Sequence, residues 1–128
     1  MVNRRSLLMA FGALVGLTLT AGGSAVSAMN SREKLTFSGA VALPGVTLPA
    51  GSYEFGVANP NSDGSIIVVR ELKTQRVCFL GFTYRAPRPA GMREDRSITL
   101  GEAPKGQAAP IVAWYPRGES SGHEFIYR

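Results

Sequence analysis

Ser52-Tyr53-Glu54-Phe55-Gly56-Val57-Ala58 is followed by Asn59-Pro60-Asn61-Ser62-Asp63-Gly64 and then by Ser65-Ile66-Ile67-Val68-Val69-Arg70-Glu71-Leu72. The first segment alternates, with Tyr53, Phe55 and Val57 on one side and Ser52, Glu54 and Gly56 on the other. Period-two alternation marks a strand with one buried face. The second segment packs Asn, Pro, Asp and Gly together and reads as a turn. The third carries four adjacent β-branched residues, which suits a central strand covered on both faces. Two strands around a tight turn make a β-hairpin, and its two sides are the template for the rest of the chain.

Working outward, prolines and glycines recur every few residues and apolar residues keep a period near two. Strands are predicted at 34–41, 46–48, 52–58, 65–72, 76–84, 96–102, 111–115 and 123–127. About eight short strands joined by turns predict an all-β domain, an antiparallel β-sandwich or related barrel. The expected core draws on Leu35, Phe37, Tyr53, Phe55, Ile67, Val69, Phe79, Phe82, Ile98, Leu100, Val112, Trp114, Phe125 and Tyr127. Of the adjacent pair Trp114-Tyr115, alternation sends one inward, and Trp114 is the expected core member. Residues 85–95, with two prolines and Gly91, are expected to be the longest irregular stretch.

The N-terminus has a different character. Arg4-Arg5 precede an uncharged apolar run from Leu7 to about Thr20, and Val26-Ser27-Ala28 supplies small residues at the end. That pattern predicts a signal peptide over residues 1–28, cut after Ala28. The run is shorter than the roughly 20 residues a spanning helix needs, and no later segment approaches that length. The expected location is therefore periplasmic or secreted, with no membrane span after cleavage. Asn3-Arg4-Arg5-Ser6-Leu7-Leu8 also fits a twin-arginine signal, so the export route stays open between that and the general one.

Removing 28 of the 128 residues leaves a single 100-residue domain at 29–128. The whole chain carries +5, and loss of Arg4 and Arg5 leaves +3. So mild a charge suits weak attraction to anionic surfaces and does not argue for nucleic acid. Cys78 is the only cysteine, so an internal disulfide is excluded. Its expected place is a small buried hydrophobe within a strand.

Both ends of the domain share a pattern with other proteins. Leu35-Thr36-Phe37-Ser38, Leu43-Pro44-Gly45 and Leu48-Pro49-Ala50-Gly51-Ser52-Tyr53-Glu54-Phe55 begin it. Ala113-Trp114-Tyr115 and Gly122-His123-Glu124-Phe125-Ile126-Tyr127 end it. The chain resembles a group of small exported bacterial all-β proteins with an LPAG-(S/T)-Y-x-F block and a C-terminal G-x-E-F-x-Y tail. The 85–95 segment departs from that pattern by its arginines and prolines. The resemblance implies an exported all-β domain and transfers no catalytic or ligand residue.

The chemistry-bearing residues are sparse. One histidine, His123, and one cysteine cannot make a zinc site, which wants three or four such ligands. Asn59, Asn61 and Asp63 have calcium-loop spacing, but a self-capped turn is the expected reading. No cofactor is expected. Cys78 with His123, or Ser120 or Ser121 with His123 and Glu124, could be written as a nucleophile and base. Adjacent strand residues point to opposite faces, however, and no Gly-x-Ser-x-Gly elbow exists. A small hydrolase is thus the alternative, and a non-enzymatic binding or structural module the leading expectation. Its expected contact is the cluster Arg85, Arg88, Arg93 and Arg96, whose guanidinium forks suit an anionic cell-envelope component or an acidic protein.

Overall fold

The computed structural model describes residues 32–128, so the segment read as a signal peptide lies outside the described residues. The described chain is all-β. Its strands are β1 (Arg32–Phe37), β2 (Val41–Leu43), β3 (Val46–Leu48), β4 (Gly51–Val57), β5 (Ile66–Glu71), β6 (Val77–Pro87), β7 (Ile98–Leu100), β8 (Ala109–Trp114) and β9 (Ser121–Phe125). They hydrogen-bond in the order β1-β4-β5-β6-β9-β8-β2-β3, with β7 also on β8. The nine strands exceed the eight expected because Ser38-Gly39-Ala40 divides the first one in two.

The β4–β5 hairpin forms as its sequence predicts, with Tyr53 opposite Glu71 and Val57 opposite Ile67. Its turn is built by side chains. Asn59 Oδ1 accepts from the Ile66 amide at 3.0 Å, and Asn59 Nδ2 donates to Asp63 Oδ1 at 3.0 Å. The same Asp63 oxygen accepts from the Ser65 amide and hydroxyl. Those Ser65 bonds hold the Asp63 carboxyl below its usual range. Its acceptors are engaged in capping the turn, as Asx chemistry favours.

One pairing corrects the expectation of uniform antiparallel order. β2 runs parallel to β8, with Val41 opposite Ala109. Parallel neighbours need a long crossover, and the strands β3 to β7 lie between these two in sequence. The Tyr127 hydroxyl reinforces the junction, donating toward the carbonyls of Ala42 (3.0 Å) and Ile111 (2.7 Å).

The buried core draws on six of the nine strands, with Val41, Leu43, Leu48, Tyr53, Phe55, Ile67, Val69, Ile111, Trp114 and Phe125, and half-buried Leu35, Phe37, Phe79 and Ile98 of β1, β6 and β7 pack against it. Phe55 and Trp114 meet at 5.7 Å between ring centroids in a tilted pair, a geometry aromatic quadrupoles favour. Cys78, expected to be buried, is only half-buried at the edge of this core.

Three residues expected inside are outside: Phe82 is 67% exposed, Leu100 46% and Tyr127 42%. For Phe82 the reason is visible in β6. Phe79, Gly81 and Thr83 take the inward face, and a Cβ on Gly81 would lie 2.7 Å from the Phe79 ring. Gly81 therefore leaves the room into which that ring folds. A register shift at Val69/Arg70 sets this phase, pairing Val69 with Phe79 and Arg70 with Val77. Leu80, Phe82 and Tyr84 consequently project outward.

β6 also runs further than expected. Arg85, Ala86 and Pro87 continue the strand against His123, Gly122 and Ser121 of β9. Pro87 is tolerated at the strand's end, where no further ladder bond is required.

Candidate functional site

The predicted arginine cluster divides into one internal brace and three exposed groups. Arg88 follows the last residue of β6, and its amide donates to the Ser120 carbonyl at 2.8 Å. Its guanidinium then turns inward. Nε donates to Glu119 O at 2.7 Å. Nη1 donates to Arg93 O at 2.9 Å and Arg96 O at 2.8 Å. Nη2 donates to Pro116 O at 3.0 Å and Tyr115 O at 3.3 Å. A guanidinium has five N–H donors, and here each meets a main-chain carbonyl. The group also lies over the Tyr115 ring, 5.7 Å from its centroid, within cation–π range.

Arg88 thereby ties residues 88–97 to residues 115–120. Further backbone bonds join the same two segments, from the Tyr115 amide to Ser97 O at 2.7 Å and from the Gly118 amide to Glu94 O at 3.4 Å. Around this frame Arg85, Arg93 and Arg96 are exposed. Arg85 Nη2 donates to Ser121 Oγ at 2.8 Å. Arg93 meets Asp95 Oδ2 at 3.1 Å, an exposed pair worth under about 1 kcal/mol and easily exchanged for another anion.

Both aromatic residues at the end of β8 are buried, Trp114 at 0% exposure and Tyr115 at 7%. Alternation holds between these two, although a register shift earlier in β8 brings Ile111 into the same core as Trp114. Trp114 enters the core, while Tyr115 is sealed from the other side by Arg88 and by close approach of Gly122. A side chain at 122 would collide with the Trp114 carbonyl oxygen and come within 2.8 Å of Tyr115 Cα.

Behind the loop lies a buried polar chain. Glu33 of β1 sends its carboxyl group inward, accepting from Trp114 Nε1 at 3.0 Å and from the Ser97 hydroxyl. Burial pushes this carboxyl above its ordinary range, partly offset by the bonds from Ser97, Trp114 and the Arg117 backbone. Trp114 in turn stacks on His123 at 5.4 Å and 24°.

His123 is 2% exposed, with Nδ1 3.4 Å from Thr83 Oγ1. The Thr83 hydroxyl donates to Ser65 O at 2.8 Å. Burial, aided by the nearby Arg85 charge, lowers the His123 pKa to about 4. Of the groups considered for nucleophilic chemistry, the structure joins His123 to Thr83 and Trp114. Cys78 Sγ instead lies 3.6 Å from Arg76 O, Ser121 Oγ takes the Arg85 donor, and Glu124 faces solvent on the opposite side of β9.

Sequence reasoning missed the outer face of β6. Leu80 is 62% exposed, Phe82 67% and Tyr84 63%, with Val77 at 46% beside them. Apolar residues occupy both faces of this strand, so alternation alone did not say which face is inward. The signal was present in Gly81 and Thr83, whose small size marks the crowded side.

Beside this row lies a groove of about 370 Å³ lined by Arg32, Val57, Ala58, Pro60, Val68, Arg70, Val77 and Leu80. No family model, no curated protein and no solved structure matches the chain.

Proposed function

We propose that this protein is an exported, non-enzymatic binding or structural module that holds an anionic cell-envelope component or acidic protein on its arginine loop. The observation that supports this reading is the complete engagement of Arg88. With all five donors on carbonyls, the loop is held in one conformation before any partner arrives. Preorganisation of this kind removes much of the ordering cost of binding. Arg85, Arg93 and Arg96 then present guanidinium forks to carboxylates or phosphates. The role of Arg88 itself is to brace the site.

The test is titration of the protein with polyglutamate and with polyphosphate. Replacing Arg85, Arg93 and Arg96 together by Ser should weaken binding by about tenfold or more and flatten its salt dependence. Unchanged affinity for both polymers would remove the basis for this function.

A further inference from the structure

We propose that the outer face of β4, β5 and β6 seats on an anionic lipid bilayer. The inference goes beyond the arginine-loop reading and uses a separate surface. Paired residues of neighbouring strands share a face, so the registers draw the map. Arg32, Gly56, Val68 and Leu80 form one row across β1, β4, β5 and β6. Lys34, Glu54, Arg70 and Val77 form the next. Ile66 stands opposite Phe82, and Tyr84 stands opposite Glu124.

The centre is an apolar ridge of Leu80, Phe82 and Tyr84, each more than 60% exposed. An exposed ridge of that kind on a small domain marks an interaction surface. Gly56 has no side chain to fill its row, and the groove opens there between the Arg32 and Arg70 side chains over Val68 and Leu80.

Charge selects the occupant. Arg32, Lys34 and Arg70 outnumber the acids Glu54 and Glu124 on this face, and Glu54 lies 3.9 Å from Arg32. A second copy laid on the same face would bring one cationic surplus against another. An anionic bilayer offers both partners the face requires: phosphate headgroups for the arginines, and an acyl boundary for Leu80 and Phe82. Tyr84 has the amphipathic ring that suits the headgroup level. The stems of Arg32 and Arg70 can lie along apolar surface while their heads reach phosphate.

The test is co-sedimentation of residues 29–128, the expected mature domain, with phosphatidylglycerol–phosphatidylcholine vesicles and with phosphatidylcholine vesicles. The expected result is binding to the mixed vesicles that weakens with salt, and little binding to phosphatidylcholine alone. F82S with L80S should reduce it by about tenfold or more, and R32S with R70S should erase the preference for phosphatidylglycerol. All four positions are solvent-facing or lie at the groove wall, and an unchanged thermal midpoint certifies folding. The Arg85/Arg93/Arg96 triple-serine protein should retain binding to the mixed vesicles, so this inference and the arginine-loop function fail separately. Absence of binding to the mixed vesicles overturns the proposal. So does equal binding by the F82S/L80S protein, or a ridge-dependent dimer without vesicle binding.

Discussion

Acid should weaken this fold through His123, and the size of the effect follows from its surroundings. The unfolded chain's imidazole takes a proton below about pH 6.5. In the folded state the ring is buried between Trp114 and Thr83 and stays neutral until about pH 4. Between those values the unfolded state binds more protons, so stability falls as pH falls from about 6.5 to about 4 and then levels off. A gap of that width has a ceiling of about 3 kcal/mol, and solvent screening near Arg85 lowers the expectation to about 2 kcal/mol. For a domain of this size that corresponds to a fall of roughly 10 °C in the thermal midpoint.

The perturbation is His123→Phe, which keeps a flat ring against Trp114 and cannot take the proton. Thr83 keeps its bond to the Ser65 carbonyl in this variant. Urea unfolding followed by fluorescence of Trp114, the only tryptophan, at pH 7 and pH 4.5 measures the difference. Glu33 supplies an internal contrast. Its raised pKa acts with the opposite sign, favouring the folded state as pH falls through the carboxylate range. The variant should lose most of the pH 4–6.5 slope. If His123→Phe and the unmodified protein lose stability in parallel over that interval, the buried-neutral account of His123 is wrong.

Two further substitutions probe the frame. Arg88→Ala should cost about 3 kcal/mol or more by leaving several carbonyls and the Tyr115 face without their donor, and limited proteolysis should then cut near Gly91 in the folded protein. Gly122→Ala should cost about 2–3 kcal/mol because the new methyl meets backbone atoms of Trp114 and Tyr115, and denaturant midpoints will show whether β8 and β9 tolerate it.

The fold class and the β4–β5 hairpin were legible because each rests on local chemistry: alternation at 52–58, β-branching at 66–69 and an Asx-rich turn between them. The burial of Trp114 followed from the same alternation. What was illegible depended on contacts distant in sequence. The parallel pairing of β2 with β8 joins segments that carry no mutual signal. The inward phase of β6 depends on a bulge in pairing with β5, and a one-residue slip exchanges all its faces. Arg88 was expected to present its guanidinium to a partner, and nothing in its neighbourhood revealed that its donors would turn to carbonyls at 93, 96, 115, 116 and 119. The buried reach of Glu33 to Ser97 and Trp114 was likewise hidden, since an acid on an alternating strand reads as a solvent-facing residue.

Every hydrogen bond of the Arg88 guanidinium goes to main chain. Its five acceptors are carbonyl oxygens, which every residue type possesses, so these bonds do not read side chains, and Tyr115 is the one ring the group lies over. Residues 93, 95 and 96 can change in charge, size or chemistry while the same five oxygens stay in reach. The scaffold thus separates the holding of a loop from the content of that loop. Arg88 and the backbone bonds beside it maintain the shape, and the neighbouring side chains are free to vary.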